Sequence, residues 1–228
     1  RGAYWGLALL ILPIGFLFLR LPNPTPQPSA SSGASHPAGK LLVVLIIAFS
    51  LFYGGAEISF SGWVTIFALS SGMGDTAAAA YLTSGFWGAY TLGRLLSIPL
   101  ATRVSTRAIL IADLCGSVLS LLVILAGASS NLLVWVGVLG LGFSMASIFP
   151  TMLAFIGQHL HVSGRTTGYL FVSGSLGGMS LPWLIGQLIE PIGARVIPWS
   201  VLLALLVSSA LLAGILIRAQ RGAAASDG

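Results

Sequence analysis

The chain has 228 residues, of which 56% are hydrophobic and only 7% charged, with ten basic against five acidic side chains. A mean hydropathy of +0.99 and a charged share far below the roughly 25% of soluble domains exclude a water-soluble globular fold. The net charge of +5 does not point to nucleic acid, because the basic residues stand singly between hydrophobic runs and there set orientation across a bilayer. The single cysteine, Cys115, excludes a disulfide framework or a cysteine metal site within the chain.

In chain order, the first apolar run covers about Ala3 to Leu19. After Arg20 the composition changes to "LPNPTPQPSASSGASHPAGK", with four prolines in seven residues followed by Ser, Ala and Gly. Such a stretch cannot continue a helix or bury a core, and it reads as a flexible linker. Six further apolar segments follow, at about Leu41–Ser71, Ala77–Ala101, Ala108–Ala128, Leu132–Gln158, Thr166–Ile189 and Val196–Ile217. Each is long enough to cross a hydrocarbon core of about 30 Å as a helix. The expectation is an all-α membrane protein of seven transmembrane helices. Its parts are a helix over 1–19, a linker over 20–40, a six-helix bundle over 41–219 and a tail over 220–228. With no initiator Met and an apolar run starting almost at the first residue, the chain reads as a fragment.

Orientation follows from the basic residues. With the linker in the cytoplasm, Arg20, Lys40, Arg103, Arg107, Arg165, Arg218 and Arg221 all face that side, while Arg1 and Arg195 face out and Arg94 lies within a helix. The C-terminus is then cytoplasmic. The run before the linker and the third and sixth segments after it are mostly aliphatic, as lipid-facing helices are; the other four carry polar, aromatic and small residues at helical spacing. Two glycine pairs, Gly164 with Gly168 and Gly174 with Gly178, have the spacing that lets helix backbones approach.

Four stretches, "FYGGAE", "YLTSGFWGAYTLGRLLSIPL", "GFSMASIFPTM" and "SGSLGGMSLPWLIGQLIEPIG", resemble the C-terminal half of fucose-permease-like sugar transporters of the major facilitator superfamily. Within that family they are most like the vertebrate sodium-dependent glucose transporter 1 group. The resemblance spans about Lys40 to Ile217 and one helix before it. It implies a bundle of two six-helix halves around a central cavity, of which the N-terminal half is missing here. It also implies that the third and sixth helices of each half lie on the lipid side, as their aliphatic composition independently suggests. "LATRVSTR", Leu100 to Arg107, resembles a worn copy of the family's basic loop motif, with Thr102 in place of its Asp and Ser105 in place of its Gly. Arg103 and Arg107 remain, either as gating residues or as topology anchors.

Glu57 lies sixteen residues beyond Leu41, about 24 Å along a helix, and thus near the midplane. Ser50, Tyr53, Gly54, Ser61 and Thr65 share its face. An unpaired carboxylate there costs about 2.5–3.5 kcal/mol, so it faces a wet cavity, finds a partner or takes a proton. Gly54, Gly55 and Gly62 weaken the helix around it, and interrupted helices at the midplane are where transporters bind substrate and coupling ion. Three roles stay open for Glu57: accepting hydrogen bonds from sugar hydroxyls, binding a coupling ion (proton or sodium), or holding a neighbouring helix.

The next helix carries Thr83, Trp87, Tyr90, Thr91 and Arg94 as a stripe. Aromatic rings beside polar groups suit the two faces of a pyranose, and they equally suit plain packing. Arg94 and Asp113 fall at similar depths on adjacent helices and are expected to pair as a gate-side salt bridge, with snorkelling of Arg94 as the alternative. Ser147, with Ser144 and Thr151, shares a face of the fourth segment, where Pro150 predicts a kink. Ser173, with Tyr169, Gly177 and Ser180, shares a face of the fifth. His159 and His161 read as loop residues. The candidate substrate-binding set is Tyr53, Glu57, Ser61, Thr83, Trp87, Tyr90, Ser147 and Ser173, and the coupling or gating set is Glu57, Arg94, Arg103, Arg107 and Asp113.

No nucleophile–base constellation, phosphate-cradling loop or metal-ligand cluster stands out, so an enzyme, a bound cofactor and a metal are not expected. The implied partners are a small sugar, the lipid bilayer and the missing N-terminal half, and the implied location is the plasma (inner) membrane. The function the residues and the resemblance imply is ion-coupled movement of a monosaccharide by alternating access. A non-transporting receptor or assembly partner is the alternative.

Overall fold

The computed structural model describes residues 6, 9, 12, 13, 15–17, 20, 37–72, 74–127, 130–159 and 164–224. The chain divides into two compact units, Arg1–Ala34 and Ser35–Gly228. In the first, the described residues are helical; the Pro/Ser-rich stretch over 21–36 lies outside the described residues. The second unit contains α1 (Pro37–Ser70), α2 (Thr76–Ala101), α3 (Thr106–Ala126), α4 (Asn131–Met145), α5 (Ile148–His159), α6 (Gly164–Ile192) and α7 (Val196–Ala224).

This is an all-α membrane protein. Leu41–Ser70, Thr106–Ala126, Asn131–Gln158 and Val196–Gln220 are long and apolar enough to cross a bilayer. The helices α2 and α6, of 26 and 29 residues, have the length with a more polar composition. Each of the six apolar segments expected over 41–217 is helical, with α4 and α5 the two parts of one of them. The last helix runs on to Ala224, into the stretch expected to be a tail.

Local chemistry sets the ends. Asp75 accepts the Ala78 amide at 3.0 Å to start α2, and Ser105 accepts the Ala108 amide at 3.4 Å to start α3, each satisfying a donor that the first turn leaves free. After α6 the chain turns through Gly193, whose φ of 92° is a left-handed conformation open to glycine at no steric cost.

Around Glu57, α1 is unbroken, contrary to the expectation that its glycines interrupt it. Gly54 and Gly55 serve close packing instead, while a Cβ on Gly62 would meet nothing within 4 Å. A Cβ on Gly54 would lie 2.8 Å from the Gly174 carbonyl oxygen, and one on Gly55 would lie 3.1 Å from that of Gly177. A Cβ on Gly177 would overlap the Leu51 carbonyl. Apolar surface gives no drive for helices to associate in lipid, so contact of this closeness is what holds α1 to α6. Of the predicted glycine pairs, Gly178 meets Ile58 across this seam, while Gly168 has nothing within 4 Å. The other face of α1 buries Ile46, Phe49, Tyr53, Phe60, Val64 and Phe67 at steps of three, four and seven. This helix packs mainly against α6 and α7, and α2 and α3 both pack on α4.

The α2–α4 crossing is equally tight. A Cβ on Gly93 would sit 2.5 Å from the Phe143 carbonyl oxygen and 2.8 Å from Ala146 Cβ, and one on Gly142 would sit 2.5 Å from the Phe86 carbonyl oxygen. The predicted kink in the fourth span is a break at Ala146–Ser147 between α4 and α5, one turn before Pro150. Proline has no amide hydrogen and its ring crowds the carbonyl four residues back, so the disturbance falls on Ala146.

Candidate functional site

A cavity of about 380 Å³ opens midway along α1. It is lined by Ser50, Tyr53 and Glu57 of α1, Arg94 of α2, Phe149 of α5 and Leu170, Phe171, Gly174, Ser175 and Met179 of α6. No wall residue comes from α3 or α7, the two aliphatic helices. Phe149 and Phe171 meet edge to face, with ring centroids 5.4 Å apart.

Glu57, half-buried on the cavity wall, does not stand alone. The Tyr90 hydroxyl donates to its Oε1 at 2.5 Å, and Arg94 Nη2 donates to the Tyr90 oxygen at 2.7 Å. The guanidinium also lies 4.9 Å from the Tyr90 ring centre. Hydrogen bonds to charged groups are worth about 1.5–3 kcal/mol, comparable with the cost of a lone carboxylate at this depth. Tyr90 therefore gives the Glu57 carboxyl a partner, Arg94 fixes the Tyr90 hydroxyl in turn, and Glu57 lines the cavity as an acceptor. The expected Tyr90 and Glu57 stripes thus meet in one site.

The expected Arg94–Asp113 salt bridge does not form. Arg94 Nε donates to the Ala146 carbonyl at 3.3 Å, while Asp113 accepts from the Ser147 hydroxyl. Ala146 and Ser147 lie between the two charged groups, so the broken span supplies each with a partner of its own. Tyr53 donates to the Met145 carbonyl at 2.6 Å, which makes three polar contacts on the break from three different helices. Tyr53→Phe is expected to destabilise the protein by about 1–2 kcal/mol, the cost of leaving a buried carbonyl without its donor, read as a lower unfolding midpoint of the complete protein in detergent.

The other predicted contacts lie elsewhere. Ser61 and Ser173 donate to their own helix, to the Ile58 and Leu170 carbonyls at 3.2 and 3.0 Å, as membrane serines do. Ser147 is occupied by Asp113. Thr83 meets Thr65 across α1 and α2 at 2.7 Å. Changing both threonines to Val is expected to shift stability by no more than about 1 kcal/mol, because such bonds in lipid average about 0.6 kcal/mol; a thermal midpoint of the complete protein checks this. Trp87 packs edge-on against Phe86 and Tyr90 outside the cavity wall. Arg103 is exposed in the turn after α2, and Arg107 opens α3 half-buried. His159 ends α5, and His161 lies outside the described residues.

Sequence reasoning missed Phe149, Phe171, Ser175 and Met179. On α6 the cavity face steps through Leu170, Phe171, Gly174, Ser175, Gly178 and Met179, one residue round from the expected Tyr169–Ser173–Gly177–Ser180 face. The glycine pair Gly174 and Gly178 was the signal for that register, since both belong to it.

A family model described as Major Facilitator Superfamily matches residues 1–182. The chain belongs to this superfamily. It is 30% identical to human sodium-dependent glucose transporter 1, over 80% of this chain and 36% of that protein. Mouse sodium-dependent glucose transporter 1A is also 30% identical, over 65% of this chain and 35% of its own length. Human major facilitator superfamily domain-containing protein 4A is 36% identical over 51% of this chain and 23% of its own length. The chain thus spans about a third or less of these curated relatives.

Proposed function

We propose that the chain is the C-terminal half, with one preceding helix, of a secondary active transporter that moves a monosaccharide such as glucose or fucose by alternating access. Transport is coupled to sodium or proton entry, in a plasma membrane with the C-terminus in the cytoplasm, and it requires an N-terminal six-helix half. The observation that carries this reading is the Glu57 carboxylate, held by Tyr90, itself held by Arg94, on a cavity that Phe149 and Phe171 also line. A polyhydroxylated ring has hydroxyls for the carboxylate and an apolar face for Phe149 and Phe171. The names of the glucose transporter relatives support the same substrate class and sodium as the driver. Arg103 and Arg107 serve the cytoplasmic gate in this reading. The test is uptake of labelled D-glucose and L-fucose by the complete protein in proteoliposomes, under imposed sodium or pH gradients. Accumulation above empty vesicles that collapses with one gradient supports the reading; no uptake of either sugar refutes it.

A further inference from the structure

Pro150 cannot donate to the carbonyl four residues before it, and in this fold that carbonyl, of Ala146, accepts Arg94 Nε at 3.3 Å. The carbonyl before it, of Met145, accepts the Tyr53 hydroxyl at 2.6 Å. Both donors come from helices that line the cavity. The same guanidinium that caps Ala146 reaches back through Tyr90 to Glu57. One side chain therefore joins the cavity carboxylate to the open point of a broken helix.

We propose that Arg94 is a positioning residue that couples the occupancy of Glu57 to the geometry of the α4–α5 break. This rests on reading Glu57 as the carboxylate that meets substrate. A ligand hydroxyl that takes Glu57 Oε1 displaces the Tyr90 hydroxyl and with it the acceptor of Arg94 Nη2. The guanidinium is then drawn toward the carboxylate and leaves the Ala146 carbonyl. The α2 side of this linkage cannot yield, because Gly93 fixes the adjacent backbone against Phe143 and Ala146. The change therefore falls on α5, which carries Phe149 of the cavity wall. With its cap gone, the break bends and Phe149 moves against the ligand.

The linkage can be read without any sugar, from amide hydrogen exchange over residues 147–151 of the complete protein in lipid nanodiscs. Arg94→Gln removes the cap, and Tyr90→Phe removes the hydroxyl that joins Arg94 to Glu57. Each is expected to quicken exchange at the break about tenfold, the scale of losing one hydrogen bond from a charged donor, with exchange over Phe60–Phe67 of α1 unchanged. Pro150→Ala restores the backbone donor to Ala146, and in that background both substitutions should leave the break unaltered. A purely architectural arginine would not be relieved in this way. Unchanged exchange in Tyr90→Phe, or equal quickening with and without Pro150→Ala, overturns the proposal. If Arg94→Gln also quickens exchange in α1, it has unfolded the bundle, and the outcome for Tyr90→Phe, which removes a single oxygen, decides. These outcomes are separate from uptake. A protein that transports through Glu57 but shows no response at the break keeps its function and loses the linkage, and one that responds at the break but moves no sugar does the reverse.

Discussion

Glu57→Gln in the complete protein is expected to lower initial uptake of the labelled sugar at least about 30-fold. The amide has almost the shape of the carboxylate and its oxygen can still accept the Tyr90 hydroxyl, so the site should remain folded. It loses a charge and replaces one acceptor with a donor. A hydrogen bond from a sugar hydroxyl to a charged acceptor is worth about 1.5–3 kcal/mol, and a neutral amide retains only a part of that. Initial rates below saturation, normalised to surface expression, measure it. Uptake, affinity and ion dependence all equal to the parent protein would leave Glu57 a structural residue that holds Tyr90 and α2. Loss of net accumulation with equilibrium exchange of sugar intact would assign it to ion coupling instead.

The second large effect is expected at the α1–α6 seam. In Gly177→Ala the new methyl would overlap the Leu51 carbonyl oxygen and lie 3.0 Å from the Gly55 amide nitrogen. Both are backbone atoms and cannot swing aside, so the helices must separate. Separation costs about 3 kcal/mol or more, and it removes the close contact on which association in lipid depends. The expected result is little or no monodisperse protein and no uptake. Gly168→Ala is the control on the same helix, since a Cβ there meets nothing within 4 Å, and it should be neutral or slightly stabilising through helix propensity. Equal behaviour of the two variants would show that the seam does not limit folding.

The spans were legible because a bilayer demands long apolar helices and tolerates no other exposed backbone. Glu57 was legible because a carboxylate at mid-depth needs a reason, and Tyr90 because it shares a stripe with Arg94. The partner of Arg94 was not. Depth along two helices said that Arg94 and Asp113 could meet, but the carbonyl freed by Pro150 and the Ser147 hydroxyl stand between them. A backbone acceptor leaves no mark on residue identity. The face of α6 was displaced for a related reason: Ser173 looked like a site residue, yet it satisfies itself on Leu170, and Phe171, Gly174, Ser175 and Gly178 line the cavity instead. Gly54 and Gly55 suggest weakness in a helix, yet they mark where α6 comes closest to α1.

Asp113 sits on α3, a helix built mostly from aliphatic side chains with the small polar Ser117 and Ser120 beside them, and its carboxyl meets Ser147. A leucine-rich rod in oil has almost no preferred azimuth, since any of its sides is as welcome to acyl chains as another. One acid that must not be turned toward hydrocarbon gives that rod a compass bearing. Spinning α3 by half a turn would strand the carboxyl among lipids, so one acid sharply tells apart flanks that aliphatic side chains leave nearly interchangeable.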